Sequence, residues 1–117
     1  MIDSLRSLLV PGQTILGLDA YGVIYNDDGL FEPVKSVVEF CHNEGIELFV
    51  LTNNAVQTLD EISAKLVDFG LPILPDHIIS SGCGCYLLED VQALLKNKKT
   101  FVYGYPSSQY YPEKAGA

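Results

Sequence analysis

Three polar clusters in this chain have the residue types for chemistry, and each closes a run of apolar residues: Asp19, Thr52-Asn53-Asn54 and Ser80-Ser81-Gly82. A carboxylate at the end of an apolar run is costly unless it meets a cation, hydrogen-bond donors or solvent. A carboxylate so placed can attack an electrophile such as phosphorus. The Thr52 hydroxyl, with backbone N–H groups near it, is suited to phosphate oxygens. Plainer roles compete with these. An Asp closing a strand also serves as a turn residue or cap, and Thr-Asn-Asn is a common loop. Ser80 and Ser81 fit capping of the helix that starts near residue 84 better than catalysis.

The elements that must position these clusters follow from the patterning. Residues 14–19 (TILGLD) and 46–51 (IELFVL) are near-continuous apolar runs, as expected of strands covered on both faces. Residues 77–82 give a short third strand and turn, and residues 100–105 (TFVYGY) a fourth strand. Helices separate them. Residues 2–9 form a short amphipathic helix with Leu5, Leu8 and Leu9 on one side and Asp3 as its cap, ended by Pro11-Gly12. Pro33 opens a helix with Val34, Val37, Val38 and Cys41 at helical spacing and Gly45 at its end. Thr58 and Glu61 make a capping box ahead of Leu59, Ile62, Leu66 and Phe69, and Gly70 stops that helix. A helix over residues 84–96 turns Tyr86, Leu87, Val91, Leu94 and Leu95 inward, with Lys96, Lys98 and Lys99 favouring its C-terminal end. Asn26-Asp27-Asp28-Gly29 is a turn, and the tail from Pro106 is loose. Alternating strands and helices give an α/β fold: a three-layer α/β/α Rossmann-like parallel sheet of three or four strands, with crossover helices on both faces. The polar clusters then share the carboxyl ends of the strands, where ligands bind in open parallel sheets.

Composition narrows the partners. The 117 residues fit one domain, and 48% hydrophobic content argues against disorder. With 15 acidic against 7 basic residues the net charge is -8, which disfavours nucleic acid and anionic lipid. An anionic ligand would need local backbone donors or a cation. No apolar run approaches a membrane span, and the N-terminal stretch makes a poor signal peptide. Three cysteines without framework spacing read as reduced thiols of a cytoplasmic protein. Cys83-Gly84-Cys85 lacks structural zinc spacing and reads as core thiols. His42 and His77 read as surface or packing residues, and Asp27 and Asp28 as turn residues. Tyr103, Tyr105, Tyr110 and Tyr111 form an aromatic tail, either an edge of the core or a docking surface.

The stretch LGLDAYGVIYNDDG, followed after a helix by LFVLTNN and then by IISSG and another helix, resembles the opening motifs of the haloacid dehalogenase-like (HAD) hydrolases. It is most similar to their para-nitrophenylphosphatase and phosphoglycolate phosphatase branch, over about residues 10–117. The resemblance implies a partial HAD core: one domain over residues 1–117, without the cap and the C-terminal core segment. It implies a Mg²⁺-dependent phosphate-monoester hydrolase acting on a small phosphorylated metabolite through an aspartyl-phosphate on Asp19. Asp19 and the backbone carbonyl of Tyr21 would ligate Mg²⁺, Thr52 would hydrogen-bond the phosphoryl group, and Asn53 would line the pocket.

Two departures qualify that implication. Tyr21 stands where the family has a second Asp that protonates the leaving oxygen and activates water. A phenol with a pKa near ~10 is a poor base at neutral pH. It is either a lineage feature or a packing residue beneath the flap of residues 23–30. The Lys and acidic residues of the family's third and fourth motifs have no counterpart here, since Lys114 falls in an expected loop. Weak Mg²⁺ binding is therefore expected. Strand one then lies at an uncovered edge, with no Pro or Lys in residues 14–19 to blunt it. The alternative function is a catalytically weak or inactive module that pairs through that edge with a second copy or a complementary chain.

Overall fold

The computed structural model describes residues 2–117, with side chains from residue 5 onward, so the expected Asp3 cap lies outside the described residues. A short helix, α1 (Ile2–Leu8), leads to strand β1 (Ile15–Asp19). A small antiparallel hairpin, β2 (Tyr25–Asn26) and β3 (Gly29–Leu30), closes around the expected turn, where Asn26 Oδ1 accepts from Asp28 N at 2.9 Å. Helix α2 (Pro33–Glu44), strand β4 (Glu47–Thr52), helix α3 (Leu59–Asp68) and strand β5 (Ile78–Ser80) follow. Three short helices complete the chain: α4 (Gly84–Leu87), α5 (Glu89–Leu95) and α6 (Tyr110–Lys114).

Local chemistry sets these boundaries. Gly45 adopts φ 66°, and its N–H closes α2 on the Cys41 and His42 carbonyls. The capping box opens α3: Glu61 N donates to Thr58 Oγ1 at 3.2 Å, and Thr58 N donates to Glu61 Oε2 at 2.8 Å.

The sheet is parallel, in the order β1-β4-β5, with Asp19 opposite Leu51 and Thr52 opposite Ser80. This is the α/β Rossmann-like parallel sheet with flanking helices that the sequence indicated. The step from β1 to β4 and the step from β4 to β5 run the same way across the sheet. Right-handed crossovers running one way fall on one face. Helices α2 and α3 accordingly bury Val38, Ile62 and Leu66 against Val50 and Ile78. Near the start of the strands, Leu9, Cys41 and Ile46 pack with Leu5 and Leu16. The expected covering of both faces is met on one. On the other, Ile15, Leu51 and Ile79 are 64%, 46% and 41% exposed.

The C-terminal third departs most from expectation. Residues 100–105 form no strand, and Phe101 and Tyr103 stand in solvent. The chain after α5 is drawn elsewhere: Asn97 turns with φ 57°, and its N–H donates to the Gly116 carbonyl, so the segment never reaches the β5 edge. β-propensity without a partner strand leaves an extended coil. The single helix expected over 84–96 breaks at Leu88 (φ -91°, ψ 113°), which turns Leu87 and Leu94 outward. Leu8 likewise faces solvent, while Leu9 takes the core position. The loose tail is instead a 3₁₀ turn, Pro106–Gln109, followed by α6, whose Tyr111 is buried. The radius of gyration, 16.2 Å, exceeds the about 13 Å of a compact chain of this length, in keeping with the extended segment and the open face.

Candidate functional site

Strands β1 and β4 are adjacent and parallel, so Asp19 and Thr52 emerge at the same end of the sheet. With Asn53, Ser80 and Ser81 they line an open depression of about 620 Å³ floored by Gly17, Leu51 and Ile79. An apolar groove of about 290 Å³ lies at the opposite end of the strands, between α2 and the loop of residues 72–77.

Asp19 is exposed, and its Oδ1 accepts from Ala20 N at 2.9 Å. The following turn wraps on the Ala20 carbonyl, which takes the N–H groups of Val23, Ile24 and Tyr25. Ile24 and Tyr25 are driven into the core. Tyr21 is not beneath the flap. It is 57% exposed, with its ring edge-on to Tyr25 at 6.0 Å. The Asp27 side chain hydrogen-bonds the Tyr21 phenol and raises its pKa, with desolvation and the Asp27 charge adding in the same direction. The phenol is therefore kept protonated, and a group so held is no general base near neutrality.

The loop after β4 is tied at many points. Thr52 Oγ1 accepts from Asn54 N at 3.1 Å and keeps its own proton to donate. Asn54 Oδ1 accepts from Val56 N and Gln57 N, and Asn54 Nδ2 donates to Gln57 Oε1 at 2.8 Å. Ser80 Oγ donates to the Asn54 carbonyl at 2.6 Å, and Ser81 Oγ donates to the Asn53 carbonyl at 3.1 Å. Ser80 also accepts from Gly82 N and so caps the 3₁₀ turn Ser81–Cys83. The helix from Gly84, for which Ser80 and Ser81 were the expected caps, instead has Cys83 at its N-cap position and no side-chain cap. The second bond of Ser80, across to the Asn54 loop, joins residues 26 apart in sequence and carries no local signal. Tyr111, from α6, donates to the Gln57 carbonyl at 2.6 Å, a contact that nothing in the sequence announces.

For the Mg²⁺ that the resemblance implies, Asp19 supplies one carboxylate and Tyr21 one backbone carbonyl. Among the described residues no three His, Cys, Asp or Glu side chains converge on a common point. Mg²⁺ demands near-octahedral oxygen ligation, which these two groups alone do not build. No helix of the described residues is long and apolar enough to cross a membrane.

The sequence pattern of the haloacid dehalogenase-like hydrolases matches residues 16–117. Phosphoglycolate phosphatase 2 of Arabidopsis thaliana is 27% identical over 103 residues, which are 87% of this chain and 34% of that protein. Among solved structures, a hypothetical protein of Pyrococcus horikoshii superposes with a TM-score of 0.76 at 26% identity, covering 88% of this chain and 39% of its own. A 4-nitrophenylphosphatase of Thermotoga maritima superposes with a TM-score of 0.70 at 21% identity, covering 86% of this chain and 38% of its own. This chain thus spans between a third and two-fifths of the length of the relatives it matches.

Proposed function

The chain belongs to the haloacid dehalogenase-like hydrolases, and from that premise we propose that it carries the phosphate-handling part of a phosphate-monoester hydrolase with Asp19 as nucleophile. One observation carries this reading: Asp19, an exposed carboxylate at the tip of β1, and Thr52, at the tip of the adjacent strand β4, line one depression. Asp19 Oδ1 is held by Ala20 N–H. The other carboxylate oxygen is the one suited to attack phosphorus, forming an aspartyl-phosphate as the ester P–O bond breaks. Thr52 donates to a phosphoryl oxygen and Asn53 lines the depression. The substrate class is a small phosphorylated metabolite, in line with the phosphatases named among the relatives.

The cation is the weak part of the site. Mg²⁺ would offset the repulsion between carboxylate and phosphate, yet among the described residues no third carboxylate, His or Cys joins Asp19 and the Tyr21 carbonyl there. Slow turnover is the expected result. The test is hydrolysis of 4-nitrophenyl phosphate with Mg²⁺ by wild type and Asp19→Asn. A loss of at least about a hundredfold is expected on removing a nucleophile. Equal rates in the two proteins would remove Asp19 from the mechanism.

The β1 edge favours a second reading, a module that pairs with a second copy or a complementary chain. β1 has a partner strand on one side only, and Ile15 on it is 64% exposed. Sedimentation decides here: a stable monomer at high concentration argues against self-pairing.

A further inference from the structure

We propose that the hydroxyls of Ser80 and Tyr111 are positioning groups for the candidate oxyanion loop of residues 52–57, holding its carbonyls away from an incoming phosphate. This rests on the phosphate-site reading above and adds two residues to it. Both side chains are 2% exposed, so neither hydroxyl has bulk water as an alternative partner. Each spends its proton on one carbonyl of the loop, Ser80 on Asn54 and Tyr111 on Gln57, both at 2.6 Å. Ser81 holds the Asn53 carbonyl at 3.1 Å. Three carbonyls of one short loop are therefore held by hydroxyls from elements that follow it in sequence.

The electrostatic consequence is direct. In a chain of net charge -8, an anion must be bound by local dipoles. A loop carbonyl free to turn toward the depression would present its negative end to the phosphate. In a trans peptide the carbonyl of one residue and the N–H of the next point in opposite directions. Fixing the Asn54 carbonyl thus fixes the Ala55 N–H, and fixing the Asn53 carbonyl fixes the Asn54 N–H, which supports Thr52 Oγ1 at 3.1 Å. The Thr52 hydroxyl is left oriented as a donor.

One further feature holds the clamp. A Cβ on Gly82 would lie 2.6 Å from the Tyr111 ring, so the bare backbone of Gly82 is what lets the ring reach its place. Tyr111 thus reaches the loop after β4 from α6, in the segment expected to be loose.

The test uses Ser80→Ala and Tyr111→Phe, the second of which keeps the ring on Gly82 and removes one oxygen. Orthovanadate, in the presence of Mg²⁺, serves as the phosphate mimic and is followed by vanadium NMR well below the melting temperature. Each variant should bind vanadate about tenfold more weakly than wild type, as expected for the loss of one hydrogen bond to a buried group. Amide hydrogen exchange should accelerate in residues 53–58 and stay unchanged in α2. A purely structural role predicts a lower melting temperature with unchanged vanadate affinity, and that outcome overturns the inference while leaving the phosphate site standing. Unchanged exchange in the loop overturns it as well. A wild-type chain that binds no vanadate overturns both the phosphate-site reading and the clamp.

Discussion

Two loops meet at the candidate site and are held in opposite ways. The loop after β4 is cross-linked to β5, to the turn that follows it and to α6, through Ser80, Ser81 and Tyr111. The segment after β1 folds on itself. Its side-chain hydrogen bonds and turn bonds are local, such as Ala20 N to Asp19 Oδ1 and Phe31 N to the Ile24 carbonyl, and Asp19 and Tyr21 project into solvent. On the proposed phosphate-site reading, distant residues of this chain pre-organise the side that would hold the oxyanion. The acid side offers a carboxylate whose cation and proton-transfer partners the described residues do not bring together. A site of this kind can hold an oxyanion well and transform it slowly, because positioning and charge compensation come from different parts of it.

The contrast is most easily broken at Tyr111. Tyr111→Ala removes a buried ring and the Gln57 bond together, and a loss of about 3–5 kcal/mol is expected, read by urea unfolding. A near-wild-type midpoint would mean that α6 is an appendage after all. Gly82→Ala should cost about 1–3 kcal/mol, since its methyl would sit 2.6 Å from the Tyr111 ring. The same assay checks it, with Tyr111→Phe as the control that leaves the ring in place.

Alkaline titration sharpens the comparison further. Desolvation, and then a hydrogen bond to Cys83, push the Tyr86 phenol up, and burial does the same to Tyr111. A folded-state pKa above the unfolded value of about 10 means the fold favours the neutral phenol. That stability is fully present below about pH 10 and is lost as pH rises toward the folded-state pKa. Melting temperature should hold steady to about pH 9 and fall above about pH 10. Tyr86→Phe should flatten the fall, and an unchanged profile in that variant would remove Tyr86 as its source. The smallest effect belongs to the acid side. Asp19→Asn should change stability by no more than about 0.5 kcal/mol, because the residue is exposed and Asn can accept from Ala20 N in the same way. A larger shift would show Asp19 wired into the fold as firmly as Ser80.

What was legible in the sequence follows the same division. Elements closed by local chemistry were readable. Pro33 and Gly45 bracket α2, Thr58 and Glu61 start α3, and the apolar runs ending at Asp19 and Thr52 are the adjacent strands β1 and β4. The direction of the crossovers was not readable from periodicity, so the open face carrying Leu51 and Ile79 went unforeseen. Residues 100–105 have strand-forming side chains, but a strand needs a neighbour, and Asn97 directs the chain to Gly116 instead. Tyr111 was readable as an aromatic residue in a tail. Its partner Gln57 lies 54 residues away, and only the folded chain brings them together.

Gly17 sits two positions before Asp19 on the open face, and Leu51 reclines across it: a Cβ there would lie 3.2 Å from Leu51 Cδ1. An alanine would ask that leucine to yield by a few tenths of an ångström, and a bulkier residue would displace it further. The smallest residue on the strand thus keeps the floor beside the carboxylate low, so a substitution at position 17 would fill the space before Asp19 while leaving Asp19 and Thr52 themselves unchanged.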